Sequence, residues 1–258
     1  MTRVSPRAHL HDASLMQFVQ EQGWAPSEHD SVEVGQKLSD WLHFKHAIAL
    51  QGLLDQNELR AQQPAQAASI RINAAVLKTR FDEVRQALRR SITEGSSPAP
   101  GLPRIAPLAR KLDWPIDAAT AFEPYRRFVY SHQRQMDTVI SGLRAQLRGM
   151  LAKGDSAWQQ LGMLDAAFAA ILNERESKLL LKLTSGFEKR FNSALKKHLK
   201  ALQAASETDE PAPDTETWLP ALCQQMQSAL LHELDIRLQP IEGLMDALTH
   251  TQNKNTYA

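Results

Sequence analysis

Cysteine occurs once in these 258 residues, at Cys223, which excludes an intrachain disulfide and a cysteine-rich zinc site. A lone cysteine of this kind reads as a small apolar side chain in a core. Glycine is scarce too, at 11, and aromatic residues make up only 6%. With Ala, Leu, Gln, Arg and Lys abundant, this balance favours helix and predicts very little strand. No window approaches the roughly 20 apolar residues of a membrane span, and MTRVSPRAHLHDASLMQF at the start lacks the apolar core of a signal peptide. A cytoplasmic protein is therefore expected. The chain contains no GxxxxGK[ST], no GxGxxG and no GxSxG, so a phosphate-cradling loop and a nucleophile elbow are both unsupported. No catalytic residue and no cofactor are assigned.

Metal ligation fares no better. HELDI at 232–236 resembles half of a metalloprotease helix, but Ile236 stands where the second His ligand is needed. Glu233 and Asp235 read instead as a solvated face. Asp40, His43 and His46 fall three residues apart, yet together they turn through about 600° of helix and do not converge on one point. His9 and His11 sit in a segment too irregular to read.

What is present is enough apolar residue, 43% against 23% charged, to bury a core in one large or two small domains. Glu123 to Leu151 is the clearest element. Tyr125, Phe128, His132, Met136, Val139, Leu143, Leu147 and Met150 recur every three or four residues, the period that lines up one helical face. A helix of that length extends about 40 Å and needs partner helices to cover its stripe.

Upstream, the pattern predicts a short helix at 15–22 and a longer one at 31–60, with Trp41 and Phe44 as anchors. A third, at 72–94, places Val76, Leu77, Phe81, Val84 and Leu88 on its apolar face and stops at Gly95. Residues 95–116 hold five of the 13 prolines, which forbids a continuous helix and predicts an extended linker, with Leu108, Leu112 and Trp114 able to dock on a neighbour. Downstream, Ser156 can cap a second long helix to about Leu183, carrying Leu161, Leu164, Phe168 and Ile171. Thr184, Ser185 and Gly186 are expected to kink or end it before another at 187–204. An acidic loop follows at 205–217. A last helix at 218–250 aligns Leu219, Leu222, Met226, Leu230, Leu234, Leu238, Ile241, Leu244 and Leu248, and Pro240 is expected to kink or split it. The reading is an all-α fold: an elongated bundle of long amphipathic, partly coiled-coil-like helices. It comprises an N-terminal helical region at 1–94, the linker at 95–116, a long-helix bundle at 117–250 and a frayed tail at 251–258.

Net charge is only +1, but it is unevenly spread: residues 71–153 carry 15 Lys and Arg against 7 Asp and Glu, while 205–248 carry one against nine. The two parts can neutralise each other across helix pairs or in a homo-oligomer, or the basic part can meet nucleic acid or an acidic partner. Arg126, Arg127, Arg134, Arg144 and Arg148, and separately Lys189, Arg190, Lys196, Lys197 and Lys200, are the cations available to phosphates. Tyr125 and Tyr130 flank Arg126 and Arg127 in the most unusual local cluster. The candidate interaction surface is thus Tyr125, Arg126, Arg127, Tyr130, Arg134, Arg144 and Arg148.

Two segments, FEPYRRFVYSHQRQM at 122–136 and LLHELDIRLQPIEGLMDAL at 230–248, with LSDWLHFKHAIAL at 38–50, resemble the signature segments of a family of bacterial helical proteins. The family is identified with the ZorF-like accessory components of type III Zorya antiphage defence. The resemblance spans most of the chain. It implies a gene setting beside a proton-driven, stator-like membrane pair of MotA/TolQ and MotB/OmpA type and a second accessory protein, ZorG. The family brings no catalytic residues to carry over. The implied function is a non-enzymatic partner-docking, sensing or effector role in such a system, recruited to the inner membrane through a partner. The alternative from the residues themselves is a helical nucleic-acid-binding effector that uses the basic middle.

Overall fold

The computed structural model describes residues 51, 74–112, 115–208 and 218–256, and within these the side chains outside 74, 172–182, 206–208 and 250–256. The helices expected at 15–22 and 31–60, the Asp40, His43 and His46 set, Trp114 and most of the acidic loop lie outside the described residues. Four helices dominate: α1, Ala74–Glu94; α2, Glu123–Leu151; α3, Ser156–Thr208; and α4, Trp218–Thr256. The described residues contain no strand, so the fold is all-α, as the composition predicts. Among them no helix is long and apolar enough to cross a membrane.

Each boundary has a local cause. Gly95 ends α1 at φ 70°, with its N–H donating to the Ser91 carbonyl at 3.1 Å. A Cβ there would approach the Ile105 carbonyl oxygen to 2.9 Å, so glycine is required both for the left-handed turn and for space. α3 is capped by Asp155 rather than Ser156, because the Trp158 N–H donates to Asp155 Oδ1 at 3.0 Å.

At two places where an end or a split was expected the helix continues. α3 runs unbroken through Thr184, Ser185 and Gly186. Leu183, Phe187, Phe191 and Leu195, all buried, continue one stripe at i, i+4 intervals across that segment. The burial of two phenylalanines outweighs the roughly 1 kcal/mol a helical glycine costs. α4 likewise is not split at Pro240 and continues to Thr256, past the residue where fraying was expected. All nine apolar positions predicted for its stripe are buried.

The chain forms two compact units. The described parts of the first are Glu83–Val139 and Leu180–Arg237. Side-chain pairs fix its helix directions. Ile92 meets Gln227 and Arg85 meets Asp235, so α1 and α4 are antiparallel. Gln133 meets Glu233 and Asp137 meets Arg237, a constant offset that makes α2 and α4 parallel. Arg190 meets Gln225 and His198 lies by Trp218, so α3 and α4 are antiparallel. The unit is therefore a four-helix arrangement, with α2 and α4 running one way and α1 and α3 the other. Its core includes Phe122, Tyr125, Phe187, Phe191, Leu195, Leu222 and Met226. The proline-rich segment is part of this packing: Leu108, Leu112 and Ile116 lie against the core.

The second unit contains, among described residues, the start of α1 through Asp82 together with 140–179 and 238–256. Here α2 and α3 pair as an antiparallel hairpin, as the short turn between them predicts. Close approach is permitted by Gly162, at which a Cβ would lie 3.4 Å from the Leu151 Cβ. The apolar residues expected to face inward on α3 do so only in part: Leu161, Leu164 and Ile171 are half-buried, and Phe168 is 37% exposed. Gly162 and Asp165 are the buried positions of that stretch.

Candidate functional site

The seven residues expected to form an interaction surface fall into distinct settings. Tyr125 is buried in the first core, its ring 5.1 Å from that of Phe191, and its hydroxyl donates to the Ala109 carbonyl at 3.0 Å. That bond satisfies the one polar atom a buried tyrosine carries and ties the proline-rich segment to α2. Arg126 bridges Glu123 on its own helix and Glu188 on α3, with its guanidinium 5.7 Å from the Phe122 ring centroid. Both residues are structural anchors.

Arg144 and Arg148, one turn apart, converge on Asp165. Arg144 Nε donates to Oδ2 at 2.8 Å and Arg148 Nε to the same oxygen at 2.6 Å. The Asp165 side chain is 8% exposed. Burial by itself raises its carboxyl pKa, but the hydrogen bonds and charges of both arginines together outweigh burial and hold the carboxyl below its ordinary range. Two charge-assisted donors per carboxylate are what make a buried acid tolerable. These arginines are committed to packing α2 on α3.

Arg127, Tyr130 and Arg134 remain, and they form a stripe. At i, i+3 and i+7 they share the outer face of α2, all three exposed, Tyr130 to 43%. These three are the part of the expected surface that is exposed.

Glu233, expected on a solvated face, is buried instead, at 2% exposure. It accepts from Gln133 Nε2 at 2.9 Å and from Arg237 Nε at 2.9 Å. Asp235 is held by Arg85 and Arg89 of α1, each at 3.1 Å. The Leu stripe of α4 fixes this outcome: a helix covered by neighbours on more than one side buries residues off its stripe as well. His132, 1% exposed, packs edge-on against Phe128 at 4.4 Å, and its Nε2 has no hydrogen-bond partner among the described residues. Burial lowers its pKa to about 4. Cys223 is buried as expected, near the Ala109 carbonyl at 3.6 Å, and burial pushes its thiol up to about 11, far from a reactive thiolate. Among the described residues no group of three or more His, Cys, Asp and Glu is placed to hold a metal ion.

A cavity of about 590 Å³ opens between α3 and α4 within the first unit. Arg190, Lys197 and His198 reach it from α3, and Trp218 and Gln225 from α4. The basic run had marked Arg190 and Lys197 as cations for phosphate, whereas His198, Trp218 and Gln225 carried no signal. Twenty residues separate the histidine from the tryptophan, and only the antiparallel pairing of the two helices brings them together. His198 is 7% exposed and its Nδ1 lacks a partner among the described residues, an omission that costs about 1–3 kcal/mol where nothing compensates.

No curated protein and no solved structure is significantly similar to this chain. Residues 1–250 match the family DUF3348, described as a protein of unknown function, and the chain belongs to that family.

Proposed function

We propose that this protein acts by docking a partner on the outer face of α2, as a component of a Zorya-like antiphage defence system that works with a proton-driven, stator-like membrane pair. The observation in favour is the stripe Arg127, Tyr130 and Arg134. An exposed tyrosine between two arginines, on a helix whose opposite face is buried, has the composition of an interface anchor. The resemblance of residues 122–136 to a defence-associated family falls on this same stretch. On this reading the protein is cytoplasmic and reaches the inner membrane through its partner.

The test is site-specific photocrosslinking. A photoreactive phenylalanine at Tyr130, in a host carrying the gene with its neighbours, is expected to capture the stator-like pair or the second accessory protein. Arg127→Glu with Arg134→Glu should abolish both the crosslink and phage protection. Unchanged protection in that double variant would overturn the proposal.

One observation favours a second reading, nucleic-acid binding. Lys189, Lys196 and Lys200 are exposed on α3 at i, i+7 and i+11, a row that can follow a phosphate backbone. Charge reversal at the three should then remove low-salt DNA or RNA retention, and a wild-type protein that retains neither disposes of it.

A further inference from the structure

The cavity between α3 and α4 carries a second inference, independent of the α2 stripe. It exists because the facing helices present small side chains there, Ala194 and Ala201 on α3 and Ala221 on α4, so the antiparallel pair leaves a slot instead of interlocking. Its volume, about 590 Å³, lies within the ordinary range of small-molecule sites. Two features give the slot a chemistry.

The first is charge. Among the described residues the lining includes Arg190 and Lys197 and no Asp or Glu. Arg190 is partly engaged, Nη1 donating to Gln225 Oε1 at 3.1 Å, which orients the guanidinium and places an amide beside it. Lys197 is exposed and lies two turns along the same face. The second feature is the aromatic end. Trp218 is held edge-on by Phe191 at 5.4 Å, with the His198 ring 6.5 Å away. His198 also lines the slot. From the level of Trp218 and His198 to Arg190 the helix rises about 12 Å. A ring therefore fits at the Trp218 end, with an acid group between the long side chains of Lys197 and Arg190.

We propose that this slot binds a small anionic ligand with a flat aromatic body, of the class of a mononucleotide or aryl phosphate. The ring lies along Trp218, and the phosphate accepts hydrogen bonds from Lys197 and Arg190.

Calorimetric titration of the full chain with AMP and with 1-naphthyl phosphate tests this, with adenosine and inorganic phosphate as the ring-only and anion-only controls. At least one of the two probes should bind ten-fold or more tighter than both controls. Lys197→Gln should weaken that binding at least five-fold, a change at an exposed site that leaves the fold intact. Ala194→Leu, which fills the slot, should abolish it, with circular dichroism reporting the fold. Binding of neither probe, equal binding of probe and controls, wild-type affinity in Lys197→Gln, or binding only to an oligonucleotide overturns the proposal.

Discussion

Arginine does opposite work in the two halves of α2. In the N-terminal half, Arg127 and Arg134 stand in solvent on either side of Tyr130, over a face buried by Tyr125, Phe128, Val129, His132 and Met136. In the C-terminal half, Arg144 and Arg148 are both drawn onto one buried carboxylate, Asp165. The first half is held by aromatic and aliphatic packing; the second adds to its aliphatic row, Ile140, Leu143, Leu147 and Leu151, an ionic contact and a small-residue approach at Gly162. One helix with one unbroken apolar period thus packs in two chemically different ways. The period reports only which face is covered, while the chemistry of the cover comes from the other helix.

The largest effect should come from the packed half. Phe191 is fully buried and touches Phe122, Tyr125 and Trp218, so Phe191→Ala should cost about 3–5 kcal/mol in a denaturant titration. If the cost is under 1 kcal/mol, the aromatic cluster is not what holds the first unit.

Acid should separate the halves next. His132 is neutral when folded, with a pKa lowered to about 4 from 6.5. The unfolded chain therefore takes up a proton first as pH falls below 6.5. Stability should fall from pH 6.5 to about 4 and then level off, by about 3 kcal/mol in all at 1.36 kcal/mol per unit. His132→Leu should flatten that slope; an unaltered slope would place the acid sensitivity elsewhere.

Asp165 behaves in the reverse sense. Its folded pKa is depressed, so its contribution is full above the unfolded value near 4 and is lost as pH falls further, through the folded value. Asp165→Ala should cost about 2 kcal/mol, below the 3–5 of a fully buried pair, because Arg144 and Arg148 keep some solvent. Hydrogen exchange should show the loss concentrated after Ile140, and loss spread evenly along α2 would break the distinction between its halves. The smallest effect belongs to Arg127→Glu with Arg134→Glu, which should leave the unfolding midpoint within about 0.5 kcal/mol of wild type. A larger shift would mean that these arginines also serve the fold.

Much of the architecture was legible in the residues. The stripe of α4 from Leu219 to Leu248 is so regular that every predicted position is buried, and Gly95 marks the end of α1 as its turn chemistry requires. The site was less legible. Nothing in an Arg-rich helix tells a solvent arginine from one aimed at a carboxylate on the next helix. Asp165, alone among apolar and small residues, gave no sign that two arginines would meet it. Glu233 and Asp235 looked solvated because a single helix viewed alone has one apolar face, whereas α4 here meets α1, α2 and α3.

The sequence by itself determined that this protein is helical, where the main apolar faces lie, and that its one cysteine is an inert core residue. Those properties follow from backbone propensity and from periodicity along a single helix. The tertiary structure decided the rest. It carried α3 through Thr184 to Gly186, since the burial of Phe187 and Phe191 outweighs a local glycine. It folded the proline-rich segment onto the core, and it set His198 beside Trp218 and Arg190 beside Gln225. These are contacts between residues far apart in the chain, and no local propensity encodes them.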